Sequence, residues 1–409
     1  MSLKKQTIIN SLGSACLLGS QWLISVLLVR LSGYEDAGVF ALAMSIANVF
    51  STFANYGLRN YQVTDINFKY LPNQYIWDRL ILSSLSFLFC CMYLWFDGYS
   101  ARNASAILLY LLYNLFVVIS DIIMGNLQLA NHLEINGFSN ALRGCLCFLL
   151  FLAVQLLSRH LLWAMCAMSL GSLIVLLIFD LPKYRQYCTN RGSFSWQSVR
   201  MGLSLLSICF FVFVSTIIPI VITAVPRREI QRQMGEAALG IFSAVYTPAV
   251  ILNTIIPTIL LALVPRIAKF WKANELDTLR KEVAKSYGLV LFGTMIALFF
   301  SAVAGKLFLR LIYGSDILAF FPLLYASVAA IGLNCACVCG NYILVAFDRK
   351  GSLALFSGVS LLCVLLLTSS MVFKFGLYGA AWILIVAYTA QVLLQLALIV
   401  IEMRKKASK

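Results

Sequence analysis

Twelve runs of about twenty mostly apolar residues, at 8 to 29, 39 to 61, 79 to 99, 104 to 128, 138 to 158, 161 to 181, 201 to 225, 237 to 263, 286 to 304, 320 to 346, 353 to 373 and 377 to 401, occupy most of this 409-residue chain. An α-helix crosses the hydrocarbon core of a bilayer in roughly 20 residues. A segment in lipid must satisfy its backbone polar groups internally, so such runs are helices. The reading is an all-α membrane protein of about twelve transmembrane helices. The longest polar connections, 182 to 200 and 264 to 285, are too short for a soluble domain. A membrane-embedded transferase or polymerase, which needs a site for covalent chemistry, is disfavoured against a conduit.

Lys4 and Lys5 precede the first run as in a signal peptide, but the run ends at Arg30 without a small-residue cleavage pattern and reads as the first span. With the N-terminus inside, 22 of the 31 Lys and Arg fall on cytoplasmic segments: Lys4 and Lys5, Arg59 to Arg79, Arg143, Lys183 to Arg200, Arg266 to Lys285, Arg349 and Lys350, and Arg404 to Lys409. The positive-inside rule then places both termini in the cytoplasm. The net charge of +15 is topological, and no nucleic-acid partner is expected. Most of the twelve cysteines, such as Cys90, Cys91, Cys145, Cys147 and Cys363, lie in apolar runs and act as small hydrophobes. Cys335, Cys337 and Cys339 are spaced so that the middle thiol points away, and only His132 and His160 are histidines, so neither a zinc nor a haem site is expected.

The chain repeats itself weakly. Gly38-Val39-Phe40 opens the second span and Gly240-Ile241-Phe242 the eighth; Gly125-Asn126 ends the fourth and Gly340-Asn341 the tenth. Both echoes relate a span of the first six to its counterpart in the second six, in the same orientation. The expected organisation is two parallel, pseudo-symmetric six-helix bundles, 1–181 and 201–409, joined by a basic cytoplasmic linker, 182–200, with a substrate path between them.

Polar residues at bilayer depth fall in stripes. Ser45, Asn48, Thr52, Asn55, Arg59 and Gln62 are spaced three and four apart in the second span and share one arc of roughly 100°. Asn114, Asp121 and Gln128 are seven apart in the fourth, as are Ser327, Asn334, Asn341 and Asp348 in the tenth. The twelfth carries Tyr388, Gln391 and Gln395, and the first Asn10, Ser14, Gln21 and Ser25. Each stripe is either the wall of a wet cavity or hydrogen-bonding glue between helices. Charges at such depth are costly and tend to mark pathways. Arg59, Asp121, Arg143 and Arg266 fall in the cytoplasmic third and Arg30 on the opposite side, with interface anchoring as the alternative for the arginines. Pro219, Pro226, Pro248 and Pro257 permit kinks in the seventh and eighth spans. Trp22, Trp77, Trp95 and Trp163 read as interfacial anchors.

The stretch Arg30-Leu31-Ser32-Gly33-Tyr34-Glu35-Asp36-Ala37-Gly38-Val39-Phe40-Ala41-Leu42, then Tyr56-Gly57-Leu58-Arg59, resembles the opening of the polysaccharide biosynthesis proteins, the O-antigen and capsule repeat-unit flippases. Gly340-Asn341-Tyr342, Asp348-Arg349-Lys350 and Gly376-Leu377-Tyr378-Gly379 resemble the end of that family. The resemblance implies a bacterial inner-membrane flippase that carries an undecaprenyl-pyrophosphate-linked oligosaccharide, destined for lipopolysaccharide or capsule, to the periplasmic leaflet. It implies no cofactor, and a polysaccharide polymerase and a chain-length regulator as pathway partners. A coupling ion, proton or sodium, is compatible with it. The family's cationic cavity falls on Arg30 and Arg59 with Arg143 and Arg266, meeting the pyrophosphate; Asn48, Asn55, Asn114, Asn334, Asn341, Gln391 and Gln395 face sugar hydroxyls. A cation-coupled multidrug antiporter of the same fold is the rival, disfavoured because 8 to 29 and 201 to 225 hold no Asp or Glu. A lipid II flippase is the third reading.

Overall fold

The computed structural model describes residues 2–65, 70–188, 196–349 and 351–407. Residues 189–195 of the expected basic linker, and Lys69, Lys350 and Lys409 of the charge pattern, lie outside the described residues. Every regular element among the described residues is helical. In order these are α1 Leu3–Asn55, α2 Leu58–Gln62, α3 Pro72–Asp97, α4 Ala101–Leu129, α5 Leu133–Ser158, α6 Leu161–Val175, α7 Leu181–Tyr187 and α8 Trp196–Met234. They continue as α9 Glu236–Val250, α10 Leu252–Leu261, α11 Val264–Ala273, α12 Leu276–Tyr313, α13 Pro322–Ala346, α14 Gly351–Phe375 and α15 Leu377–Ala407. A π-helical turn, Leu176–Asp180, joins α6 to α7.

Eleven helical segments among the described residues are long and apolar enough to cross a membrane. The first, Lys4–Gln62, is 59 residues long. Unbroken it would extend about 90 Å, three times the thickness of a hydrocarbon core. Gly33 divides it: a φ of 85° with ψ of −177° takes the chain out of the helix. The two arms then fold back on each other, because Gln21 of the first donates to Tyr113 Oη at 3.1 Å and Asn48 of the second accepts from the adjacent Asn114 at 3.0 Å. One segment thus supplies two crossings, and the twelve apolar runs of the sequence are accounted for. The helices begin and end on local chemistry: Ser100 Oγ caps α4 by accepting from Asn103 N, and Pro72 opens α3 while Gln74 accepts from Leu71 N at 2.7 Å.

The helices gather into two compact units, Met1–Ile220 and Val221–Lys409, the division falling inside α8. Their outward faces are apolar, with Leu88, Phe89 and Met92 of α3 and Phe299, Phe300 and Val303 of α12 exposed, as lipid-facing surfaces require. Inside, aromatic packing alternates with amide contacts. Phe40 meets Tyr110 at 5.4 Å and Phe151 at 6.1 Å between ring centroids. The first arm of α1 meets the turn before α5 through Gln6 to Asn131 O (3.0 Å) and α5 itself through Asn136 to Asn10 (2.6 Å). This polar stripe is glue, for which the absence of a hydrophobic driving force between helices in lipid is the reason.

The Gly-Asn echo has a structural counterpart. In the first unit Gln62 Nε2 donates to Ile122 O at 3.1 Å and to Asn126 Oδ1 at 2.7 Å. In the second, Gln395 Nε2 donates to Cys337 O at 3.2 Å and to Asn341 Oδ1 at 2.8 Å. Each glutamine takes the asparagine side chain and the carbonyl one turn before it, and a Cβ on the intervening Gly125 or Gly340 would overlap its amide oxygen. The clamp is the same, yet it is closed by α2 in one unit and by α15 in the other. Gly125→Ala and Gly340→Ala each displace a buried amide from two partners and are expected to cost about 2 kcal/mol. Gly358, with open space where its Cβ would stand, is the control. Thermal unfolding in detergent checks this: equal midpoints for Gly340→Ala and Gly358→Ala would dismiss the clamp.

Candidate functional site

The second arm of α1 stops at Asn55 because Tyr56 (φ 46°) and Gly57 (φ 71°) both adopt left-handed backbone. Such a conformation is uncommon for a tyrosine and stores strain of order 1 kcal/mol or more. It is held by stacking of the Tyr56 ring on Phe213 of α8, 4.5 Å between centroids and 10° between planes. Gly57 has no alternative, since a Cβ there would press into Val212. Non-helical backbone at membrane depth is tolerated where it lines a cavity, and a cavity of about 530 Å³ lies at this break, wholly within the first unit. Thr52, Asn55, Gly57, Arg59, Asn60 and Val63 line it from α1 and α2, Asp121 and Gln128 from α4, and Thr216 and Ile220 from α8.

Its centre is Arg59. Nη1 donates to the main-chain oxygen of Asp121 at 2.7 Å and to the Asp121 carboxylate, and Nη2 donates to Gln128 Oε1 at 3.1 Å. The seven-residue spacing of Asp121 and Gln128 places both on the α4 face that meets α2, which lets one guanidinium fork bridge them. The pair remains accessible, its side chains 16% and 36% exposed. Asn48 and Asn114 bond each other further along the same two helices and are not part of the lining. Asn55 reaches past the cavity to accept from Arg79 Nη1 at 2.9 Å.

The structure therefore brings together Asn55, Arg59 and Asp121. The remaining candidates are elsewhere. Arg143, expected in a cationic cavity, is 1% exposed and donates to Asp180 Oδ2 at 2.6 Å. That carboxylate also accepts from Ser139 at 2.7 Å and from Ser120, so Arg143 is an interior tie between helices. Arg30 is exposed beside Gly33, at the opposite end of the first unit from Arg59, and Arg266 is exposed on α11. In the second unit Asn334 donates to Asn253 at 3.1 Å, Asn341 and Gln395 form the clamp, and Gln391 bonds Ser360 at 2.9 Å and Ser357 at 3.3 Å. These amides are spent on neighbouring helices.

Two cations escaped the stripe reading. Arg79 counted only as a basic residue at a span end, yet its side chain is fully buried behind Asn55. Arg227 of α8 lies over the Tyr246 ring, 5.2 Å from its centroid. No periodicity marks either one. For Arg79 the available signal was the adjacent pair Asp78-Arg79 several residues into a helix that begins at Pro72.

The family described as polysaccharide biosynthesis protein matches residues 3–271. The capsular polysaccharide biosynthesis protein CapF of Staphylococcus aureus is 25% identical over 384 residues, covering 91% of this chain and 92% of that protein. Among solved structures, the lipid II flippase MurJ in an inward closed conformation superposes with a TM-score of 0.72 at 14% identity, over 98% of this chain and 89% of that one. The MATE multidrug transporter DinF-BH, solved as a complex, gives 0.67 at 15% identity, over 97% and 94%. A point mutant of the Vibrio cholerae MATE transporter VcmN gives 0.61 at 17% identity, over 98% and 95%. At these identities the superpositions establish a common fold.

Proposed function

The chain belongs to the polysaccharide biosynthesis protein family, and from that premise we propose that it is a flippase moving an undecaprenyl-pyrophosphate-linked oligosaccharide from the cytoplasmic to the periplasmic leaflet of a bacterial inner membrane. The observation that carries the reading is the accessible Arg59–Asp121 pair at a broken helix, in a cavity otherwise lined by Thr, Asn and Gln. A guanidinium fork suits a phosphate oxygen pair, and the neutral amides and hydroxyls suit sugar hydroxyls. Asp121 has a second part in this scheme. When the cavity is empty it neutralises Arg59; when a pyrophosphate arrives, the fork exchanges one anion for another. An inside-negative potential favours outward movement of that anion by roughly 2.3 kcal/mol per charge per 100 mV. Coupling to a proton or sodium ion at the released Asp121 carboxylate is compatible with the scheme and is not required by it.

The drug-antiporter reading needs an acid to hold the coupling ion opposite a cationic drug. Residues 8 to 29 and 201 to 225 supply none, and the one cavity acid is already bound to an arginine. The test is a strain lacking this gene. Loss of surface polysaccharide, with intact lipid-linked oligosaccharide accumulating in the cytoplasmic leaflet, is the expected result, reversed when the gene is returned. Normal surface polysaccharide in the deletion strain would overturn the proposal.

A further inference from the structure

Arg79 of α3 is fully buried, and its neighbours do not balance it. Nη1 donates to Ala54 O and to Asn55 Oδ1, both at 2.9 Å, while Nε and Nη2 meet no acceptor among the described residues. Asp78, next in sequence, is turned against Gly202 of α8 and forms no ion pair with it. The cavity's own carboxylate, Asp121, is already paired with Arg59, so Arg79 has no ion pair among the described residues. A buried arginine without a counter-ion is costly, and its unused donors are those of a fork built for paired oxygens.

One residue of the cavity wall bonds Arg79 directly. Asn55 lines the cavity and holds Arg79, and it is the last residue of α1 before the left-handed break at Tyr56-Gly57. Ala54, whose carbonyl takes the other Nη1 bond, belongs to the same final turn. Both acceptors of Nη1 thus lie on the last turn before the break, and a movement of that turn would free Nη1 from the two together.

We propose that Arg79 is the second anion-binding group of the cavity, screened by Asn55 in the empty state, and that together with Arg59 it selects a diphosphate over a monophosphate. This rests on the flippase reading and sharpens it: Arg59 receives one phosphate and Arg79 the next. A monophosphate engages only one of the two forks.

The test uses the full-length protein in nanodiscs, with inorganic pyrophosphate and inorganic phosphate as probes in titration calorimetry. The wild type is expected to prefer pyrophosphate by about tenfold or more, the worth of an added charge-assisted hydrogen bond. Arg79→Gln is expected to abolish that preference while phosphate binding persists, and Arg59→Gln to weaken both anions. Arg79→Gln also removes the tie to Ala54, so a second variant avoids the question of folding. Asn55→Asp places a carboxylate where the amide oxygen already accepts from Arg79; it is expected to raise the unfolding midpoint and to remove the preference. Preference retained in Arg79→Gln, or in Asn55→Asp, overturns the assignment of Arg79. A wild type that binds neither anion overturns the functional reading on which the assignment rests.

Discussion

Arg59→Ala is expected to abolish surface polysaccharide in a complemented deletion strain while the protein still accumulates in the membrane, and Arg59→Lys to recover only a small part of the activity. Arg59 makes three bonds through two nitrogens, to the Asp121 carboxylate, the Asp121 carbonyl and Gln128. Alanine removes all three and leaves Asp121 as an exposed, unmatched negative charge in the cavity proposed to accept an anion. Losing two charge-assisted bonds to the substrate, each worth about 1.5 to 3 kcal/mol, lowers transport by about 10²-fold or more. Lysine restores the charge but not the fork, and a point charge does not span Asp121 and Gln128 together. Because the pair is partly solvated, its removal costs about 1 kcal/mol of stability or less, so abundance is maintained. Arg30→Ala separates charge from position. Arg30 is exposed at the other end of the unit, and its loss is expected to reduce transport by a smaller factor than loss of Arg59. Wild-type polysaccharide in Arg59→Ala would sink the cavity assignment.

The spans were legible because hydropathy alone decides what crosses a bilayer, and the folded-back arms of α1 could be read from two apolar runs on either side of Gly33. The stripes were legible as stripes, since polar residues avoid lipid wherever they fall on a helix. Their use was not. Asn48 and Arg59 of one stripe meet Asn114, Asp121 and Gln128 of the other, but whether two facing stripes close on each other or leave space between them depends on backbone separation. The break at Tyr56-Gly57 opens that space near Arg59, and a tyrosine in left-handed backbone has no sequence signature. In the second unit Gln391 and Gln395 have the same spacing as cavity residues, and they are consumed by Ser357, Ser360 and Asn341 on adjacent helices. The ion pair of Arg143 was hidden for a further reason. Its partner sits on a π-helical turn, where the 3.6-residue period no longer assigns a face.

That partner, Asp180, carries the largest expected effect on stability. It is fully buried and accepts from Ser120 of α4, and from Ser139 and Arg143 of α5, so one carboxylate ties three successive crossings of the first unit together. Asp180→Ala leaves the Arg143 guanidinium, 1% exposed, with no counter-ion, and the expected cost is about 3 to 5 kcal/mol, enough to empty the folded population in detergent at moderate temperature. Asp180→Asn keeps hydrogen bonds to the two serines yet leaves the charge uncompensated, and falls between alanine and wild type. The double variant Arg143→Met with Asp180→Leu removes both charges and fills the volume with apolar side chains; its expected stability lies within about 1 kcal/mol of wild type. Thermal unfolding of the four proteins in one detergent provides the comparison. The same double variant decides what Arg143 does. If it is an interior tie, the double variant restores both folding and surface polysaccharide. Restored folding with no polysaccharide would return Arg143 to the transport path, and a double variant as unstable as Asp180→Ala would show that the interior needs the ion pair itself and not merely an absence of unmatched charge.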